Sequence, residues 1–480
     1  MATRDMDKSS VRVASVVNDV ISVPEARALH VYKRRWYILL MFSLLDSIQA
    51  AVWIQWGPIA AAAEQAYGWT DGTLALFANW GPITFIPTAL LWSWLLDSKG
   101  LRTSCVGAAG LVALGTGVRC LCKDPPVFTA LVHLGQILNG LAGPVAMGAV
   151  PKVSSVWFPA AERTTASTVM AVIVGLGVTA AFYIGPLVVP EITSDRCNFT
   201  NVTRYISPGQ VRRGARTCNR RHHDARHEVT EIQRQNIMYY NYGTFGVCAA
   251  LFLVMLVYFP NPPPKPPSAS AATPRLDYRK GLRILVTNKR FWQIAVAYGV
   301  STGTRDAWSS MLDVNLKAHG ISQEDASHLG VYATAGAIVV SLTVARVADY
   351  VKTRHKTFLC VQYGLAIVSR LWLVLLIVGT LPQSTVSMYV SYGLVDLSNA
   401  GVGPLFYETV CETYYPVAEG ITNLCLTTQN NITALIFLGI LSVPGIGTVW
   451  MNWLLIATYV LAFILLVTMP AAHSRIDVDQ

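Results

Sequence analysis

Leu96-Asp97-Ser98-Lys99-Gly100-Leu101-Arg102 closes one apolar run and opens the next, and Ala348-Asp349-Tyr350-Val351-Lys352-Thr353-Arg354-His355-Lys356 does the same in the second half of the chain. Each copy sets an Asp at a predicted helix end with basic residues a few positions on. Matching punctuation in two halves is the mark of a duplicated bundle. The flanking runs are each close to twenty apolar residues, and a hydrocarbon layer of roughly 30 Å needs about 20 helical residues per crossing. About twelve such runs fill the chain from Trp36 to Pro470. They predict helices near 36–59, 73–96, 103–121, 127–150, 165–190, 237–259, 291–315, 327–350, 356–380, 385–407, 420–443 and 448–469. The runs are continuous rather than alternating, which argues against a transmembrane barrel. The sequence therefore reads as an all-α membrane protein of twelve transmembrane helices in two six-helix bundles.

Composition agrees. The chain is 53% hydrophobic and 13% charged, a polytopic balance rather than a disordered one. The stretch Pro260-Asn261-Pro262-Pro263-Pro264-Lys265-Pro266-Pro267 reads as an extended linker. The expected organisation is a cytoplasmic tail at 1–35, a first bundle at 36–259, a cytoplasmic Pro-rich linker at 260–289, a second bundle at 290–470 and a cytoplasmic tail at 471–480. The first thirty residues are polar and predict no cleavable signal peptide.

The net charge of +10 suggests nucleic acid in a soluble protein. Here the charge sits in short loops and sets orientation instead. Lys33, Arg34 and Arg35, then Lys99 and Arg102, then Lys152 and Arg163, then Arg279, Lys280 and Arg283 all fall on one side, which is predicted to be cytoplasmic. The Arg-rich loop at 191–236 falls outside, and long loops translocate largely regardless of charge. Its sequons at Asn198 and Asn201 predict N-glycosylation of a lumenal loop. The sequon at Asn431 lies within a helix and is expected to be unmodified. Cys197 and Cys218 share the outer loop, as a disulfide or as two free thiols. The other seven cysteines read as small packing residues.

Polar groups within the spans face either a cavity or a partner helix. Gln136 and Asn139 share one face of the fourth span, where they contact a solute or join helices. Trp53, Trp56 and Trp80 supply aromatic faces for a flat or cationic ligand, or pack. Tyr298 is a similar candidate on the seventh span. Asp46, His133 and Asp306 are candidates for a coupled proton, with Asp306 beside Arg305, and Asp396 is a further intramembrane carboxylate. Glu408, Glu412 and Glu419 read as a gate network. The pairs Gly57-Pro58, Gly81-Pro82, Gly143-Pro144 and Gly403-Pro404 mark bends or close packing. No His-Glu-x-x-His site and no phosphate-cradling glycine loop is present, so no catalytic residue, metal ligand or cofactor is expected. A channel fits the duplicated halves poorly. A receptor built on the same bundle would present the same pocket.

The loop at Asp97 resembles the Gly-x-x-x-Asp-x-x-Gly-x-Arg signature of the major facilitator superfamily. Asp97, Gly100 and Arg102 match it, Ser93 replaces the first Gly, and Asp349 marks a weaker second copy. The resemblance implies a gating loop in which the Asp and the Arg pair across helices.

Further stretches are similar to the solute carrier 49 family: Trp56-Gly57-Pro58-Ile59 with its echo Trp80-Gly81-Pro82-Ile83, Gly135-Gln136-Ile137-Leu138-Asn139-Gly140, Gly185-Pro186-Leu187-Val188-Val189-Pro190, and Glu408 through Thr422. Within it they most resemble the disrupted in renal carcinoma protein 2 branch. That resemblance implies a monomeric lysosomal carrier of a small solute, pyridoxine, driven by protons, with the plasma membrane as the alternative site. The sister branches imply choline, ethanolamine or haem instead. Trp53 matches the aromatic residue of the choline branch. The Gln of that branch's fifth helix is missing from Val174-Gly175-Leu176-Gly177. Glu25-Ala26-Arg27-Ala28-Leu29-His30 is an imperfect acidic dileucine signal.

Overall fold

A computed structural model describes residues 29–190, 208–310, 323–351, 355–382, 384–441 and 449–469. The glycosylation residues Asn198 and Asn201, and Cys197, lie outside this set, as does the side chain of Cys218.

In the first half, α1 (Arg35–Ile54), α3 (Asp71–Ser98), α4 (Leu101–Val118), α5 (Pro125–Gly148), α7 (Arg163–Val188) and α8 (Pro208–Val257) form the crossings, with short helices α2 (Ala60–Tyr67) and α6 (Val150–Trp157) between them. The linker carries α9 (Ala269–Ala272) and α10 (Tyr278–Thr287). In the second half the crossings are α11 (Lys289–Ser310), α12 (Gln323–Val351), α13 (His355–Ile377), the pair α14 (Thr385–Asn399) and α15 (Val402–Thr413), α16 (Glu419–Leu441) and α17 (Val449–Thr468). Among the described residues nine helices are long and apolar enough to cross a membrane. The three other crossings are less apolar or broken: α11 carries Ser301, Thr302, Thr304, Arg305 and Asp306, α12 carries several charges, and the tenth crossing is split.

Proline and glycine explain where the helices differ from the sequence reading. The first span was expected to run to 59 but stops at Ile54, just before Gly57-Pro58, because Pro disfavours helix in the residue before it and lacks a donor. The tenth, expected at 385–407 without interruption, breaks at Ala400-Gly401, where Gly401 has φ +77°. Pro82 and Pro144 stay inside α3 and α5. The sixth crossing reaches back to Pro208, into the segment read as loop. The linker, read as extended, holds two helices, with the Asp277 and Ser268 side chains accepting backbone N–H bonds at their starts.

Two cores confirm two bundles. One apolar cluster gathers Phe42, Leu45, Val112, Val145 and Met255, and the other gathers Phe291, Tyr363, Phe406, Phe437 and Tyr459. Apolar side chains such as Leu90, Leu187, Val257 and Val368 are exposed on the outside, the surface that a multi-pass protein presents to lipid.

The bundles meet at the end where the linker docks. The Asp97 carboxylate at the end of α3 accepts from the backbone N of Ile421 at 3.0 Å, at the start of α16. It also pairs with Lys152 at 3.3 Å, and Lys152 stands 3.8 Å from Glu419. The Asp349 carboxylate at the end of α12 accepts from the backbone N of Thr164 and Thr165 at 3.0 and 2.8 Å, at the start of α7. Asn423 donates to the carbonyls of Met147 and Gly148, and Ser154 donates to Glu408. Gly420 is required here, because a Cβ would stand 2.6 Å from the Asp97 carboxylate.

The linker straddles this seam. Arg275 pairs with Glu419, Arg163 of the first bundle donates to Ser268 and Ser270, and the Tyr278 hydroxyl lies 2.9 Å from that of Ser93. Burial raises the Tyr278 phenol above its ordinary range, against the Ser93 hydrogen bond, so it remains a neutral hydroxyl.

Candidate functional site

Above the closed seam, near mid-span, four elements bring polar groups together. Asp46 on α1 is 7% exposed, and among the described residues no donor reaches its carboxylate. It lies within electrostatic reach of the Tyr407 hydroxyl on α15, as do Arg305 and Asp306 on α11. Tyr407 shares a 2.9 Å hydroxyl contact with Tyr298 and packs against both cores. Arg305 pairs with Asp306 at 2.8 Å, and Asn430 on α16 donates to the other Asp306 oxygen at 3.0 Å. Arg305 and Asp306 keep about a third of their side-chain surface exposed. A carboxylate that no donor reaches among the described residues, two phenols and a partly exposed ion pair thus gather where the halves meet.

The sequence candidates separate in space. Trp53 is held by the Gly81-Pro82 pair. Pro82 has no N–H for the Ala78 carbonyl one helical turn before it, and the Trp53 indole N–H donates there instead, at 2.8 Å. Gly81 leaves room for the ring, since a Cβ would collide with it. Trp53 remains half-buried. Trp80 is also half-buried and donates to His133 Nδ1 at 2.9 Å, which leaves the other ring nitrogen of a neutral His133 to carry the proton.

Trp56 sits apart. It is 2% exposed and packs in an aromatic cluster with Trp69, Phe77 and Phe128. Gln136 accepts from Arg119 at 3.2 Å and donates to the Trp53 carbonyl at 3.3 Å. Asn139 and Gln49 exchange bonds with each other's backbone carbonyls. Both amides are buried and joined to neighbouring helices, so they tie α1, α4 and α5 together. Asn431, in α16, donates to the Thr427 carbonyl one turn back.

The residues of the expected gating loop lie where the seam closes, with one difference from the expected pairing. Arg102 donates to the carbonyls of Leu256 and Phe259, at the end of α8, rather than to Asp97. The turn at Gly100, with φ +87°, starts α4 away from the seam. The α8 terminus offers carbonyls that attract a cation. Lys152 takes the place beside Asp97.

Sequence reasoning missed Tyr407, Asn430 and two buried arginines, Arg119 and Arg370. The arginines were discoverable: Arg119 follows Asp97 by 22 residues, and Arg370 follows Asp349 by 21.

Two bundles closed at one end around a polar mid-span cluster define a major facilitator superfamily transporter. The fucose transporter FucP, solved in its outward conformation, matches 90% of this chain and 99% of its own with a TM-score of 0.63 at 13% identity. No family model matches the chain. The chain is 35% identical to the solute carrier family 49 member 4 homolog of Xenopus tropicalis over 94% of both chains. It is 28% identical to the choline/ethanolamine transporter FLVCR1 of Mus musculus, over 84% of this chain and 69% of the relative. The chain belongs to the solute carrier 49 family. It is a multi-pass membrane transporter and not an enzyme.

Proposed function

We propose that this transporter carries pyridoxine together with protons by alternating access, in the lysosomal membrane. The observation that carries the reading is Asp46, a mid-span carboxylate that no donor reaches among the described residues, within electrostatic reach of Tyr407, whose hydroxyl contacts that of Tyr298. A hydroxylated pyridine ring needs hydrogen-bonding hydroxyls for its substituents and an anion for its ring nitrogen when that is protonated. The phenols and Asp46 supply both, and the half-buried Trp53 and Trp80 offer aromatic faces on the first bundle. In the cycle Asp46 takes a proton while the cleft is open to one side and releases it to the other, with Asp306 and His133 as the other carriers. Asp97, Gly100 and Asp349 hold the linker side shut, and Arg102 anchors the turn.

Choline and ethanolamine are the second reading, because relatives carry them. Gly175, where that branch has Gln, is surrounded by open space: a Cβ there meets no atom within 4 Å. The missing amide favours the pyridoxine reading.

Uptake of labelled pyridoxine into proteoliposomes at pH 5.5 and 7.5, with unlabelled choline as competitor, tests the proposal. The expected result is saturable flux that rises with an inward proton gradient, resists choline and loses its gradient dependence in Asp46→Asn. Flux that choline suppresses, or that ignores pH, would overturn it.

A further inference from the structure

The second bundle buries a cation that neither the seam nor the central cluster uses. Arg370 on α13 is 1% exposed. Its guanidinium carbon stands 3.6 Å from the centre of the Tyr459 ring, and one terminal nitrogen makes a 3.4 Å bond to the Ala366 carbonyl. Its Nε and other terminal nitrogen meet no acceptor among the described residues. A buried charge left this way is costly in a low-dielectric interior. A cavity of about 20 Å³ adjoins it, lined also by Arg305, Trp308, Tyr392 and Asp396. That is room for one or two water-sized particles.

The surrounding charges select the occupant. Arg305 is already neutralised by Asp306. Asp396 lies within electrostatic reach of Arg305 and Arg370, yet among the described residues no ion pair joins it to either. The donors left over belong to Arg370. An organic solute is too large for the space.

We propose that this cavity is a binding site for a small inorganic anion of about the size of chloride, held by Arg370. An anion there sits beside the Asp396 carboxylate, and like charges repel. Anion binding and protonation of Asp396 therefore favour each other, by linkage. Arg305 from α11 and Arg370 from α13 lie within electrostatic reach of Asp396, Tyr392 on its own helix lines the same cavity, and Tyr363 of α13 and Tyr459 of α17 lie within electrostatic reach of Arg370. The described part of α12, which packs on the other side, places no titratable side chain between Gly336 and Thr343. Anion and proton enter as a neutral pair and leave the charge of the bundle unchanged. The site does not depend on which solute the central cleft carries, so failure of the pyridoxine reading would leave it standing.

The test is thermal melting of the purified full-length protein in sodium chloride against sodium gluconate at constant ionic strength, at pH 5.5 and 7.5. Chloride is expected to raise the melting temperature saturably, by roughly 2–4 °C, and more at the lower pH. Arg370→Met should lose the response. Asp396→Asn should show at pH 7.5 the full response that the unaltered protein shows at 5.5. If Arg370→Met does not fold, the Asp396→Asn comparison decides alone. Melting indifferent to chloride, a response that survives Arg370→Met, or an Asp396→Asn response still weakened at pH 7.5 would each overturn the proposal, the first leaving a water-filled cavity.

Discussion

The two halves close the same seam with the same residue type in different ways. Asp97 and Asp349 stand at equivalent places, and each reaches across to the first turn of a helix in the other bundle. Asp349 does so with backbone bonds, as a cap on Thr164 and Thr165 at the positive end of α7. Asp97 takes one backbone bond and adds Lys152, which in turn stands near Glu419. One clasp works by hydrogen bonds from two backbone N–H groups, one to each carboxylate oxygen. The other needs its charge, because it sits beside the Lys152 ammonium, which keeps some exposure, and near the buried Glu419. Duplicated sequence therefore does not imply duplicated energetics, and the Asp97 side is predicted to control how readily the linker face opens.

The largest effect is expected from Asp97→Ala, which leaves the largely buried Lys152 with only Glu419, 3.8 Å away. Removing one partner of a buried pair costs about 3–5 kcal/mol. A cysteine placed at Met147, behind the seam in a cysteine-depleted background, should then react with an impermeant reagent from the linker side roughly 100-fold faster or more. Asp349→Ala removes a cap worth about 0.5–2 kcal/mol, and the same cysteine should react roughly 2- to 30-fold faster. The Asn substitutions sharpen the contrast. Asn keeps one of the two acceptor oxygens that Asp349 uses, so Asp349→Asn should fall between the unaltered protein and Asp349→Ala, whereas Asp97→Asn should follow Asp97→Ala. If both Asn variants behave alike, the distinction between the clasps is wrong. Tyr278→Phe, which removes one linker hydroxyl that contacts Ser93 and the Leu90 carbonyl, should have the smallest effect, about 0.5–1.5 kcal/mol in the same assay.

The bundle was readable in the sequence because a bilayer permits few solutions. Twenty apolar residues form a helix across it, and the aspartates at the seam announce themselves by their basic neighbours. The site was less readable. Gln136 and Asn139 have the right chemistry and spacing, but whether an amide faces a hollow or a neighbour depends on helix rotation. That rotation is fixed by contacts such as Arg119 on Gln136. Trp56 was misleading for the same reason: Trp69 and Phe128, distant in sequence, enclose it. The linker looked like a tether because its prolines dominate, while the residues that dock it, Arg275 and Tyr278, follow them and find partners only in the folded seam.

The account rests on two bundles that rock about the mid-span cluster, now closed at the linker end. Pulsed spin-label distances test this most directly, with one pair at Ser98 and Tyr350, exposed at the linker ends of the two bundles, and another at Leu121 and Val386 on the opposite ends. On addition of pyridoxine at pH 5.5, the Ser98–Tyr350 distance should lengthen as the Leu121–Val386 distance shortens. Two distances that stay fixed, or that change in the same direction, would contradict it.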